Sequence, residues 1–171
     1  MSLPSLVAYL VKKKGTVHGK KAFQKYMYFL DAKGVPTTLN FRIHHYGPYS
    51  SELDYQSDNL ELLGAINMQE KGIGFSITSG NRADEIIKKN QEYINLYAYI
   101  IDEVINNLPE DPKTLELWST THFIANSLKQ FSDDYSKDKV VDEVIKIKHD
   151  KFTKAEIEKA FETLKKMKYI N

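Results

Sequence analysis

The chain has 171 residues, 42% of them hydrophobic, and a formal net charge of +1. That length allows one domain or two compact lobes with a real core, and the near-neutral balance by itself points neither to nucleic acid nor away from it. The absence of cysteine excludes disulfides, thiolate metal sites and a cysteine nucleophile, and fits a reducing compartment, so a cytoplasmic protein is expected.

Leu6, Tyr9 and Leu10, with Val7 and Val11 beside them, have helical spacing, and Gly15 follows as a stop. The run Leu6 to Val11 is preceded by no positive charge and followed by Lys12, Lys13 and Lys14, the reverse of a signal peptide's charge order. Export is therefore not expected. No stretch approaches the roughly 18 apolar residues of a spanning helix, so no membrane partner is expected.

A second helix opens at Gly19 and buries Phe23, Tyr26, Met27 and Leu30, with Lys20, Lys21 and Lys25 on its other side. From Thr37 the period changes to two: Leu39, Phe41 and Ile43 alternate with Asn40, Arg42 and His44. An extended insertion over about 35–47 is expected, punctuated by Gly47-Pro48. Ser50 or Ser51 then starts a third helix with Leu53, Leu60 and Leu63 on its apolar side, and Gly64 ends it. Residues 65–70 and 73–78, split by Lys71-Gly72, read as a β-hairpin directly behind that helix.

Asp84 to Leu108 reads as one long helix, because Ile87, Asn90, Ile94, Tyr97, Ile101 and Val104 recur in steps of three and four. A second apolar row at Ile86, Tyr93 and Ile100 predicts that it is either sandwiched between lobes of one chain or buried in a homodimer, and a homodimer through residues 84–108 is the expected partner. Pro109 to Pro112 marks a lobe boundary. Beyond it Leu115, Trp118, Phe123 and Leu128 mark a helix, Lys129 to Lys137 a polar loop, and Val140 to Ile147 another helix. The last helix opens on Thr153 and Glu156, spaced as a capping box.

The expected fold class is therefore mostly α with a small β-hairpin, α+β. It comprises a winged-helix-like lobe over 1–80, a connecting helix over 84–108, and a helical lobe over 112–171 that is a candidate second helix-turn-helix.

Charge is uneven along this plan. Residues 1–50 hold eight Lys or Arg against the single acid Asp31, a net +7, which leaves −6 for the remainder. Lys12, Lys13, Lys14, Lys20, Lys21, Lys25 and Arg42 are accordingly the candidate phosphate contacts of a nucleic-acid interface, and they are expected to converge on one face. Tyr46, Tyr49 and Tyr55 are the candidate partner-binding residues. Against DNA, the third helix carries Glu52, Asp54, Asp58 and Glu61 and no base, and phosphates repel acids.

Gly19-Lys20-Lys21-Ala22-Phe23-Gln24-Lys25, then Tyr28-Phe29-Leu30, then His45-Tyr46-Gly47-Pro48-Tyr49-Ser50 form a set that resembles the YwgA-like proteins of bacteria and archaea. More remotely, the set is similar to the Panacea-type antitoxin domain, with its basic Leu-Gln-Lys helix followed by a Tyr-Gly-Pro turn. Leu115-Glu116-Leu117, Thr121-His122-Phe123 and Phe152-Thr153 continue the likeness over most of the chain. Phe23 stands where that pattern has leucine, and Ala22 where it has a basic residue. The resemblance implies a fold and a regulatory role rather than a reaction.

Catalytic signatures are missing. Gly72-Ile73-Gly74 has Ile77 where a dinucleotide fingerprint needs glycine and sits in a hairpin. Adjacent His44 and His45 should point to opposite faces of an extended segment, and His122 and His149 lack ligand-spaced partners. No cofactor, metal or catalytic residue is expected. The functional expectation is a non-enzymatic regulator of winged-helix type that binds DNA; the alternative is a protein–protein interaction module, antitoxin-like or an adaptor.

Overall fold

A computed structural model describes residues 2–171. Among the described residues there are eight α-helices and five short strands, and no helix is long and apolar enough to cross a membrane. The chain divides into two compact units: the chain up to Arg42 together with Tyr49–Leu108, and Ile43–Pro48 together with Pro109–Asn171.

In the first unit α1 (Leu3–Lys14) buries Leu6, Val7, Ala8, Leu10 and Val11 completely. A helix apolar on nearly every side needs neighbours on several sides, and α1 has them in β5, α4 and α5, described below. Gly15 and Gly19 flank β1 (Thr16–His18), a strand that the expected Thr16-Val17 link did not anticipate. Three residues carry too little period-two signal to read, and only pairing defines this strand: Val17 lies opposite Ile77, itself opposite Met68. The sheet is antiparallel in the order β1-β5-β4, with β4 at Ile66–Lys71 and β5 at Gly74–Ser79. Its hairpin turns through Gly72 at φ 64 and Ile73, which is fully exposed at the tip.

The eight consecutive residues Phe23 to Leu30 of α2 (Lys20–Ala32) are all buried. After it Val35, Thr37 and Leu39 point inward while Pro36, Thr38 and Asn40 face out, the alternation expected for the insertion. It then folds back on itself. β2 (Arg42–His44) pairs with β3 (Gly47–Tyr49), so the tight turn is His45-Tyr46 rather than Gly47-Pro48. α3 (Ser51–Leu62) closes through Gly64 at φ 76, with the Ala65 amide donating to the Leu60 carbonyl. This left-handed residue falls where only glycine sits without strain.

The expected single helix over 84–108 is two helices, α4 (Ala83–Lys89) and α5 (Gln91–Asn107). Side-chain chemistry explains the break. The Ser5 hydroxyl of α1 donates to the Ile86 carbonyl at 2.9 Å, the acceptor that the Asn90 amide would use in a continuous helix. The Asn90 amide instead donates to Ile87, and the Asn90 side chain donates to Ser5 Oγ. Ile87, Ile94, Ile101 and Val104 still form a buried seam, but it faces this chain's own α1 and α2. The second row at Ile86, Tyr93 and Ile100 is half-buried, and Leu96 and Tyr99 of α5 are exposed.

The second unit is three helices: α6 (Pro112–Phe131), α7 (Lys137–Lys148) and α8 (Lys154–Lys166), with a 3₁₀ turn at His149–Lys151. Asp111 caps α6, Ser136 caps α7, and the expected Thr153/Glu156 capping box opens α8. Leu117, Val140, Val144, Ile157 and Phe161 form its core, with the chain's one tryptophan, Trp118, packed against it. The last helix of each unit's helical run, α3 and α8, ends on similar backbone. The Tyr169 amide donates to the Leu164 carbonyl at 2.9 Å past Lys168 at φ 58, as Ala65 does to Leu60 past Gly64.

Candidate functional site

Of the seven cations expected to contact phosphate, one is buried and four lie against acids or aromatic rings. At the end of α1, Lys12 pairs with Asp84 of α4, and Lys13 lies 3.5 Å from Asp102 of α5. Lys14 sits over the Tyr26 ring and Lys20 over Phe75 of β5. Lys25 is 4% exposed and out of reach of any phosphate, because its place on α2 falls in the middle of the buried run. Lys21 and Arg42 are exposed. Part of the positive charge over residues 1–50 is thus met by acids from α4 and α5 within the same unit, Lys33 meeting Glu103 at 2.9 Å. Exposed pairs of this kind contribute at most about 1 kcal/mol each, but they consume the cations that a nucleic acid would need.

α3 is presented by a buried clamp. The Gln24 amide nitrogen donates to the Ser50 carbonyl at 2.9 Å, and the Ser50 amide donates to Gln24 Oε1 at 2.8 Å. Ser50 is also the cap of α3, its hydroxyl accepting from the Leu53 amide. The clamp joins the Gln24 segment to the Tyr49-Ser50 segment, the two stretches that carry the family resemblance. Their first role is therefore to hold this helix rather than to contact a ligand.

From that clamp α3 projects a stripe of Glu52, Tyr55, Asp58 and Leu62, spaced three and four residues apart and hence stacked on one face. Tyr55 is 79% exposed and Leu62 86%. The Tyr49 ring lies half-buried beside the start of this helix; burial and its hydrogen bond to Asp54 raise its pKa. Tyr46 belongs to the second unit, so the three candidate partner-binding tyrosines do not make a single cluster within one unit.

In the second unit the His45-Tyr46 turn is pinned by an ion triad. Glu116 of α6 accepts from Lys148 at 2.7 Å and from Lys151 through both oxygens at 2.9 and 2.8 Å. Lys148 also donates to the His45 carbonyl at 2.8 Å, and Lys151 covers the Tyr46 ring. Burial pushes the Glu116 carboxyl upward, but hydrogen bonds from Lys148 and Lys151 more than offset it and leave the group below its ordinary value. Sequence reading missed this triad. Its three members lie on two helices and a turn, and the only signal was an acid and a lysine within otherwise apolar helical faces.

His44 and His45 both line one hollow of this unit, against the expectation of opposite faces, because His45 has left the strand and entered the turn. His122 is a packed core residue whose Nε2 lies 3.1 Å from the Tyr169 carbonyl. Among the described residues no group of three or more His, Asp or Glu is arranged to hold a metal ion. No family model matches the chain, and no curated protein matches it.

Proposed function

We propose that this chain is a non-enzymatic, winged-helix-type protein-interaction module whose α3 face receives a basic partner surface carrying apolar side chains. The order helix, strand, helix, two-stranded ribbon, helix, hairpin, with the first strand added to the hairpin, supports the winged-helix reading. One observation carries the choice of partner. The helix that would enter a DNA groove in such a scaffold exposes Tyr55 and Leu62 among Glu52, Asp54 and Asp58, with no basic side chain between Ser51 and Leu62. Phosphates would be repelled from that stripe, whereas a cationic amphipathic helix satisfies both its charge and its apolar positions.

A Lys/Leu amphipathic peptide titrated into the whole labelled chain is expected to shift the α3 amides saturably. Tyr55→Ala or Leu62→Asp should weaken that binding by about thirtyfold, the scale of a central interface residue at ~2 kcal/mol. Fluorescence anisotropy with duplex DNA is expected to show only weak association. A log–log salt slope of about −4 to −5, the signature of some five phosphate contacts, together with unshifted α3 amides in the peptide titration, would overturn the proposal in favour of DNA binding.

A further inference from the structure

We infer that the second unit holds a small-anion site, a hollow of about 330 Å³ lined by His44, His45, Lys148, His149 and Lys151, which receives the oxyanion head of a small organic phosphate. The proposal is independent of the α3 reading, since no residue of the first unit takes part.

Charge is the first argument. Two lysines share the one carboxylate of Glu116, so the triad retains one net positive charge. Glu116 does not line the hollow, whereas Lys148 and Lys151 do. Lys148 uses two of its three donors, on Glu116 and on the His45 carbonyl, and its side chain is 3% exposed. It therefore fixes the His45 turn before any ligand arrives, and Lys151, 40% exposed and held by both Glu116 oxygens, is the preorganised cation that a ligand can reach. His44, His45 and His149 line the same space, and no acid does.

Backbone strain is the second argument. His149, immediately after α7, has φ 51 and ψ −126, a conformation that a residue with a Cβ adopts at a cost and that glycine adopts freely. Keeping an imidazole there places a third donor ring on the hollow's rim. The apolar flank of Ile43 and Ile147 then accommodates the body of a ligand larger than a bare phosphate, and the volume lies at the lower end of small-molecule sites.

Phenyl phosphate is the probe, with inorganic phosphate and phenol as partial analogues, titrated into the intact ¹⁵N-labelled chain. Saturable shifts confined to residues 43–48 and 147–151 are expected with phenyl phosphate, weaker ones with inorganic phosphate, and none with phenol. Lys151→Met, at a side chain 40% exposed, should keep the fold by circular dichroism yet weaken binding at least about tenfold, the scale of one charge-assisted hydrogen bond. His149→Gly should raise Tm by about 2–4 °C through relief of strain while weakening binding. Non-saturating shifts spread over the exposed lysines would overturn the inference, as would Lys151→Met or a stabilised His149→Gly that binds with unchanged affinity.

Discussion

Glu116→Gln is expected to destabilise the helical unit of residues 109–171 by about 3–5 kcal/mol, the cost of removing one partner from a buried ion pair. The amide keeps the shape and an acceptor, but it leaves Lys148, whose side chain is 3% exposed, beside Lys151 without the carboxylate that neutralised both. Lys151→Met alone should cost much less, because Lys151 is partly solvated and Glu116 keeps Lys148. Combining Glu116→Gln with Lys151→Met should recover part of the loss, since one of the two repelling cations is gone. The single tryptophan, Trp118, packs against this unit's core, so its fluorescence during urea unfolding reports on this unit. Additive losses in the double variant would mean that the three groups do not act as one cluster.

The same triad sets a pH dependence. The folded-state pKa of Glu116 lies below its ordinary value, so its stabilisation is present in full above the unfolded carboxylate range of about 4.3 and is lost as pH falls through the folded value. The capping carboxylates Asp111 and Glu156 are depressed as well, by hydrogen bonds from Thr114 and Thr153, and act in the same direction. The Trp118 transition is therefore expected to shift to lower urea as pH drops below about 4, and this shift should be reduced in Glu116→Gln.

The second large effect belongs to the clamp on α3. Gln24→Leu preserves volume but strips the Ser50 amide of its acceptor and the Ser50 carbonyl of one of its two donors, the other being the Asp54 amide, at a residue with no exposure. With a buried unsatisfied polar group costing about 1–3 kcal/mol, a loss of that size is expected from the Ser50 amide. Gln24→Glu should be similarly damaging, because a carboxylate still accepts from the Ser50 amide but has no donor for its carbonyl. Hydrogen exchange is the decisive readout. The amides of residues 51–62 should lose protection in both variants more than those of α1, and a uniform loss across the first unit would show that the clamp does not act on α3 in particular.

Glutamine 24 also marks where reading the sequence stops. Its neighbours Phe23 and Met27 announce a buried helix face by spacing alone, but nothing local says that an amide among lysines turns inward. That depends on Ser50, which lies 26 positions away. Lys25 failed as a phosphate contact for the same reason: a basic residue on an amphipathic helix looks solvated until a second element covers that side. The break at Asn90 is a third case, since the heptad steps run through it and only the Ser5 hydroxyl, 81 residues from the Ile86 carbonyl, interrupts the ladder.

What the sequence determined by itself was local in origin. Apolar periods of about 3.6 and 2, the Thr153/Glu156 capping box, the Lys71-Gly72 hairpin signal and the Pro109 to Pro112 boundary all act between residues a few positions apart, so they specified a mostly helical chain with one hairpin. Tertiary structure alone decided which charges stay available. The cations of α1 met acids of α4 and α5, and Glu116 drew Lys148 and Lys151 together around the His45-Tyr46 turn. An ion pair depends on distance in space, and linear order carries no record of it.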